Sequence, residues 1–185
     1  MKVFLILMLI LRIFTGCGSA DPELERAMNL RSQLLAHSCS FDAEITADYG
    51  DKIHTFTVYC EGDPQGNLGF QIKSPETIEG ITGQLSAGGG KLTFDETALA
   101  FPLLADGQVT PVSAPWLLLK TLQGGYLTSA GMEENDLRLT IHDSYEADAL
   151  QLDIWLDGED KPLRADILYD GRRILSLSVA NFQIL

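Results

Sequence analysis

The chain has 185 residues, 45% of them apolar, which suits one modest globular domain with its own core and argues against a second. Its 26 acidic residues outnumber 13 basic ones for a net charge of −13, and no Lys/Arg cluster offers the counterion-releasing surface that a nucleic acid needs, so that partner is excluded. No run of roughly 20 apolar residues occurs beyond the N-terminus, so no membrane-spanning helix is expected in the body of the chain.

Lys2, an apolar run over residues 3–11 and the stretch Arg12-Ile13-Phe14-Thr15-Gly16-Cys17 have the layout of a secretory signal. The tetrapeptide Phe14-Thr15-Gly16-Cys17 resembles the lipobox of bacterial lipoproteins, in which the cysteine thiol is acylated and the chain is cut just before it. Phe14 stands where an aliphatic residue is usual and Arg12 lies close to the cut, so an ordinary secretory signal with an incidental cysteine is the competing reading. The lipobox reading makes residues 1–16 a signal peptide, Cys17 the lipidation site, residues 17–22 a lipidated tether and residues 23–185 a single domain. Cleavage removes Lys2 and Arg12 and no acid, so 13 basic residues become 11 against 26 acids and the net charge becomes −15. Such a body is not drawn to anionic lipid, so membrane attachment is expected to be covalent, on the extracytoplasmic face.

Asp21-Pro22-Glu23 reads as an N-cap, a proline in the first turn and an acid beside it, opening a helix that runs to about His37. Leu24, Ala27, Met28, Leu34 and Leu35 form its expected apolar stripe, interrupted at Arg31. The period then drops to two. Cys39, Phe41, Ala43 and Ile45, and beyond Tyr49-Gly50 the set Phe56, Val58 and Cys60, predict a hairpin. A two-residue turn at Tyr49-Gly50 pairs Phe41 with Val58 and sets Cys39 opposite Cys60, close enough for a disulfide in an exported protein; free buried thiols are the alternative.

Leu68, Phe70 and Ile72 predict the next strand, ended near Pro75, and others are expected over residues 81–87 and 91–101. In the last of these the apolar phase changes between Phe94 and Leu99, which predicts a bulge near Glu96 and a bend. Residues 113–125 predict a helix of about ten residues. Trp116, Leu117, Leu118, Leu119 and Leu122 cover most of its circumference, so it is expected to be buried on most sides. Four period-two sets follow, at Leu137–Ile141, Leu150–Leu156, Leu163–Ile167 and Leu175–Val179, and read as a meander. A four-residue loop at 157–160 pairs Ile154 with Leu163, and a three-residue loop at 169–171 pairs Ala165 with Leu175. The other face carries Arg138, Thr140, His142, Gln151, Asp153, Trp155, Arg164 and Ser176, as expected of a solvated side.

These elements give an α+β fold: a large curved antiparallel sheet, a half-open barrel, with a leading helix and a short apolar plug helix in its hollow. The lipobox-like start, the helix and hairpin, the strand-to-proline segment over residues 66–75, the central apolar helix and the closing segment over residues 165–182 together resemble the lipoprotein-carrier (LolA/LolB-like) superfamily. That resemblance implies a half-open barrel that shelters acyl chains, and a role in handling a hydrophobic ligand or a lipoprotein.

No catalytic constellation stands out. His37, His54 and His142 are scattered, outside any metal-binding or triad spacing, and the acidic loops 133–136 and 157–160 lack the alternation of an EF-hand. The glycines at 88–90 and 124–125 read as turns. No metal, cofactor or enzymatic activity is expected. Residues chosen for an acyl-chain site are Phe94, Leu99 and Phe101 from the bent strand and Trp116, Leu119 and Leu122 from the plug; the same side chains would serve as ordinary core. Two functions follow: an anchored envelope lipoprotein that binds or carries an acyl chain or a lipoprotein, or one that binds an envelope protein through its outer face or acidic loops around a self-filled core.

Overall fold

The computed structural model describes residues 21–48, 52–95, 97–102, 104–105, 108–146 and 149–185. The signal segment, Cys17 and the tether up to residue 20 lie outside the described residues, as do Tyr49 and Gly50 of the first turn.

Helix α1, Pro22–Ala36, starts where the cap predicts: the Asp21 carboxylate accepts from the N–H groups of Glu23 (3.1 Å) and Leu24 (3.5 Å). Its buried stripe differs from expectation. Ala27, Leu30 and Leu34 face the core, while Leu24, Met28 and Leu35 are exposed, because Arg31 is turned inward to bond the second helix. Strands β1 (Cys39–Asp48), β2 (Ile53–Gly62), β3 (Leu68–Ser74), β4 (Thr82–Ser86), β5 (Gly89–Phe94) and β6 (Thr97–Phe101) form one meander. After a two-stranded ribbon, β7 (Leu104–Ala105) and β8 (Gln108–Val109), comes helix α2 (Ala114–Gly124). A second meander follows: β9 (Tyr126–Glu133), β10 (Asp136–His142), β11 (Gln151–Leu156), β12 (Pro162–Tyr169) and β13 (Arg172–Ile184).

The last strand pairs with the first, so both meanders join in one eleven-stranded antiparallel sheet ordered β6-β5-β4-β3-β2-β1-β13-β12-β11-β10-β9. It does not close; β6 and β9 are its edges. Register shifts interrupt five of its ladders, one of them where β1 meets β13 beside Asn181, a positive-φ residue whose amide donates to Asp42 (2.7 Å). Such bulges bend strands, and the sheet curves around the helices.

Three expected registers are displaced by two residues. In the first hairpin Cys39 faces Gly62 and Cys60 faces Phe41, since Asp48 and Ile53 close a four-residue loop instead of a two-residue turn. The expected Cys39–Cys60 disulfide is therefore not formed: both cysteines are free and buried. In the second meander Ile154 faces Ala165, and Ala165 faces Leu177. A shift of two preserves the pleat, so the faces are kept except at Leu163, expected opposite Ile154 on the core side but left exposed where the register shifts beside Trp155.

The bent strand expected over residues 91–101 is a hairpin, with Phe94 opposite Thr97 and Asp95 at φ 46° between them. Glu96, the expected bulge, lies outside the described residues. Strand β9, with no strict alternation, was not expected. The face expected to be solvated on the second meander is partly closed, with Asp153 and Trp155 each 5% exposed.

Candidate functional site

Helix α2 sits on the concave face, entered through a 3₁₀ turn at Pro111–Ser113 and ended by the Gly125 N–H donating to the Thr121 carbonyl (2.8 Å). Trp116, Leu117, Leu118, Leu119 and Leu122 are all buried, so the predicted plug is a plug. Three polar side chains lock it in place. The Trp116 indole N–H donates to the Gly66 carbonyl (2.8 Å), and the Gln123 amide donates to the carbonyls of Leu34 (3.0 Å) and Asp63 (2.9 Å). Arg31 donates to the carbonyls of Leu122 and Gly125 (both 2.8 Å), covering orphan acceptors at the negative end of the helix dipole. Burial lowers the pKa of this guanidinium.

Gly62 is required beneath the plug, because a Cβ there would overlap Leu119. Burial would raise the pKa of Asp63, at the start of the β2–β3 turn. Bonds from Asn67, Gln65 and Gly66 outweigh burial and hold it below the ordinary carboxylate range.

The apolar face continues past the plug. Cross-strand pairs place Phe70, Leu85, Leu92, Phe94, Leu99 and Phe101 on the face that carries the core. Two glycines there serve as floors for rings: Gly83 lies under Phe70, and Gly90 under Phe101. Phe70 and Leu85 are buried, Leu92 and Phe101 half-buried, but Phe94 and Leu99 are 60% and 63% exposed. Thus the six residues predicted for an acyl site divide: Trp116, Leu119 and Leu122 lie in the packed core, and Phe94 and Leu99 lie at its uncovered margin with Phe101 between. Sequence reasoning missed Leu85, Leu92 and the two ring-bearing glycines; alternation of glycine with leucine in Gly83-Gln84-Leu85 and Gly90-Lys91-Leu92 was the available signal.

A cavity of about 830 Å³ opens where β1–β5 and β13 end, lined by Cys39, Gly62, Leu68, Leu85 and a rim that includes Glu61 and Lys91; none of the six predicted residues lines it. Burial pushes the Cys39 thiol up to about 11 and the Cys60 thiol well above the ordinary range.

The acidic loop 157–160 is engaged within the fold. Asp157 accepts from the N–H groups of Glu159 and Lys161, and Asp160 accepts from Arg26 of α1 (2.6 Å). Among the described residues no group of three or more His, Cys, Asp or Glu side chains is placed to hold a metal ion, and no helix is long and apolar enough to cross a membrane.

No family model matches the chain, and neither does any curated protein. Among solved structures it is similar to an outer-membrane lipoprotein-sorting protein domain from Vibrio parahaemolyticus (9% identity, 90% of this chain, 93% of that one, TM-score 0.48). It is also similar to a LolA superfamily protein from Nitrosomonas europaea (9%, 86% and 93%, 0.44). A third is the lipoprotein LppX from Mycobacterium tuberculosis (12%, 88% and 96%, 0.41).

Proposed function

We propose that this protein is a non-enzymatic binding protein of the bacterial envelope, anchored through an acylated Cys17, that holds an acyl chain or another long apolar ligand on its concave face. One observation carries the reading: the apolar face of an open sheet extends beyond its plug and ends in Phe94 and Leu99, both mostly in water. Large apolar side chains left exposed beside a core mark a binding surface, and an acyl chain needs nothing more, since each buried methylene gains about 0.8 kcal/mol. The margin is continuous with Leu92 and Leu85, so a ligand bound there lies along the side of the plug. The acidic loop offers less to a protein partner, because all three of its acids are already bonded within the fold.

The test is titration of the purified domain with a fluorescent fatty acid, together with mass spectrometry of its organic extract. Phe94→Asp combined with Leu99→Asp is expected to weaken uptake by about tenfold or more without changing the circular dichroism spectrum. A wild-type protein that carries no lipid and takes up none overturns the proposal.

A further inference from the structure

The face of β2–β5 turned away from the helices holds a second, chemically different hollow. Pairing places Glu61, Gly69, Gln84 and Lys91 in one cross-strand row and Tyr59, Gln71, Thr82 and Thr93 in the next. Successive residues of a strand point to opposite faces, so both rows lie opposite Phe70 and Leu85. Gly69 leaves a gap among these side chains: apart from its chain neighbours, the nearest atom to a Cβ built there is the Glu61 carbonyl oxygen, 3.9 Å away. Around the gap is a depression of about 400 Å³, which shares Glu61, Gly69, Gln84 and Lys91 with the larger cavity at the strand ends. Four strands at sheet spacing make the groove about 14 Å long.

Its chemistry is unlike the rest of the surface. On a chain of net charge −13 the groove carries one acid and one base, Glu61 and Lys91, and otherwise amides, hydroxyls and a phenol. Tyr59 donates to Glu61 (3.0 Å) and Lys73 to Gln71 (2.8 Å). Thr82, Gln84, Lys91 and Thr93 form no side-chain hydrogen bond or ion pair with another described residue. Donors and acceptors therefore stand side by side, without net charge, beside an aromatic ring and above a glycine gap. A polyanion finds Lys91 in one row with Glu61 and only Lys73 beyond, a polycation finds the single acid already bonded, and a long apolar ligand finds two rows of mostly polar side chains.

We propose that this groove binds a neutral, hydroxyl-rich ligand, an oligosaccharide segment whose hydroxyls both donate and accept, with one ring lodged over Gly69 beside Tyr59, whose ring carries the Lys73 ammonium 5.7 Å from its centroid. The site is separate from the apolar margin, so the protein holds two unlike ligands on opposite faces of one sheet.

Amide chemical shifts of the labelled domain, followed during titration with chitotetraose and with maltotetraose, test the site. Perturbations confined to β2–β5 are expected, and whether the acetamido or the plain sugar binds identifies the source. Gly69→Val fills the gap with a residue suited to a strand and is expected to weaken binding by about tenfold or more, as is Tyr59→Ala. Both variants should take up fatty acid as the wild type does. Added salt should leave saccharide binding unchanged, since the ligand is neutral. Absence of perturbation by either sugar, binding unaltered in both variants, or binding of polylysine or heparin in place of the sugars overturns the proposal.

Discussion

In the second meander, even the side of the sheet away from the helices is partly closed. Trp155 lies between two guanidinium groups, with Arg164 4.0 Å and Arg138 5.2 Å from its ring centroid, and its indole N–H donates to Glu133 (3.1 Å). Arg138 bonds Glu133 (2.9 Å) and Asp153 (2.7 Å), and Asp153 also accepts from Thr140 and Gln151. The bond to Asp153 is the main reason that the pKa of Arg138 is raised. In the first meander the equivalent positions of β3–β5 are Gly69, Gln71, Thr82, Gln84, Lys91 and Thr93, of which Gln71 is bonded to Lys73 while Thr82, Gln84, Lys91 and Thr93 bond no other described side chain. One half thus spends its outward side chains on itself, and the other leaves most of them unbonded. The apolar faces differ in the same sense, because β10 and β11 are buried along their length whereas β6 is exposed at four of its five residues. The alternation of apolar and polar residues is common to both halves; what stands at the polar positions decides which half can bind.

The plug spans both halves, touching β2 on one side and β10 and β13 on the other. Removing its anchor is therefore the hardest test of the contrast. Trp116→Ala deletes a buried indole and leaves the Gly66 carbonyl without its donor, at an expected cost of about 3–5 kcal/mol. Hydrogen exchange should rise more in β3–β6 than in β10–β12, because the first meander has less packing of its own. Equal rises in both would show that the halves share one stability. A smaller effect is expected of Asp153→Ala, which leaves Arg138, Thr140 and Gln151 without their acceptor on a mostly buried site, at about 1–3 kcal/mol in urea denaturation. Gln84→Ala, on the open half, should change stability by no more than about 0.5 kcal/mol.

The same contrast explains what could be read from the chain. Apolar alternation at Phe41, Ala43 and Ile45, or at Leu152 and Ile154, determines which side of each strand faces the core, and those assignments hold except at Leu163, which the register shift at Trp155/Leu156 leaves exposed. The count of residues in a turn is a different quantity. Tyr49-Gly50 permits more than one loop length, and lengthening that loop by two residues moves every pair while changing no face, whereas past Asp157–Asp160 one extra loop residue and a register shift at Trp155/Leu156 together make the displacement. The register at Cys39 was therefore not legible, although its burial was. Asp153 and Trp155 read as solvated because the sequence does not show that Arg138, Glu133 and Arg164, from three other strands, converge on them. The plug was legible because a helix apolar on most sides has only one place to go. The uncovered margin was half legible: Phe94 and Leu99 are apolar in sequence, but whether anything lies over them depends on strand order.

The cysteines supply a prediction that sharpens the register and carries its own pH dependence. Alkylation of the unfolded protein without prior reduction should label both Cys39 and Cys60, and a joined peptide would restore the two-residue turn that sets them opposite each other. In the folded state the Cys39 thiol is raised from 9.0 to about 11 by burial. The unfolded chain thus releases this proton first as pH rises. The stabilisation is fully present below pH 9.0 and is lost towards about 11, so urea midpoints should fall across that window and recover part of their value in Cys39→Ala measured against its own plateau.

A small, salt-dependent effect is expected where the leading helix is tied to the better-closed half. Arg26 donates to the Asp160 carboxylate (2.6 Å) and to the Asp157 carbonyl (2.9 Å), joining α1 to the β11–β12 turn across 134 residues of sequence. Both side chains are about one-third exposed, at 29% and 33%, so water and salt screen the pair. Arg26→Ala should lower stability by about 0.5–1 kcal/mol at low salt and by less at high salt. Asp160→Asn should reproduce most of that loss, while the pairing of Asp157 with Glu159 and Lys161 keeps the turn itself intact. A loss of several kcal/mol, or one that is insensitive to salt, would mean that α1 depends on this contact and not on the burial of Ala27, Leu30 and Leu34. The leading helix would then have to be counted with the second meander rather than as a cover shared by both.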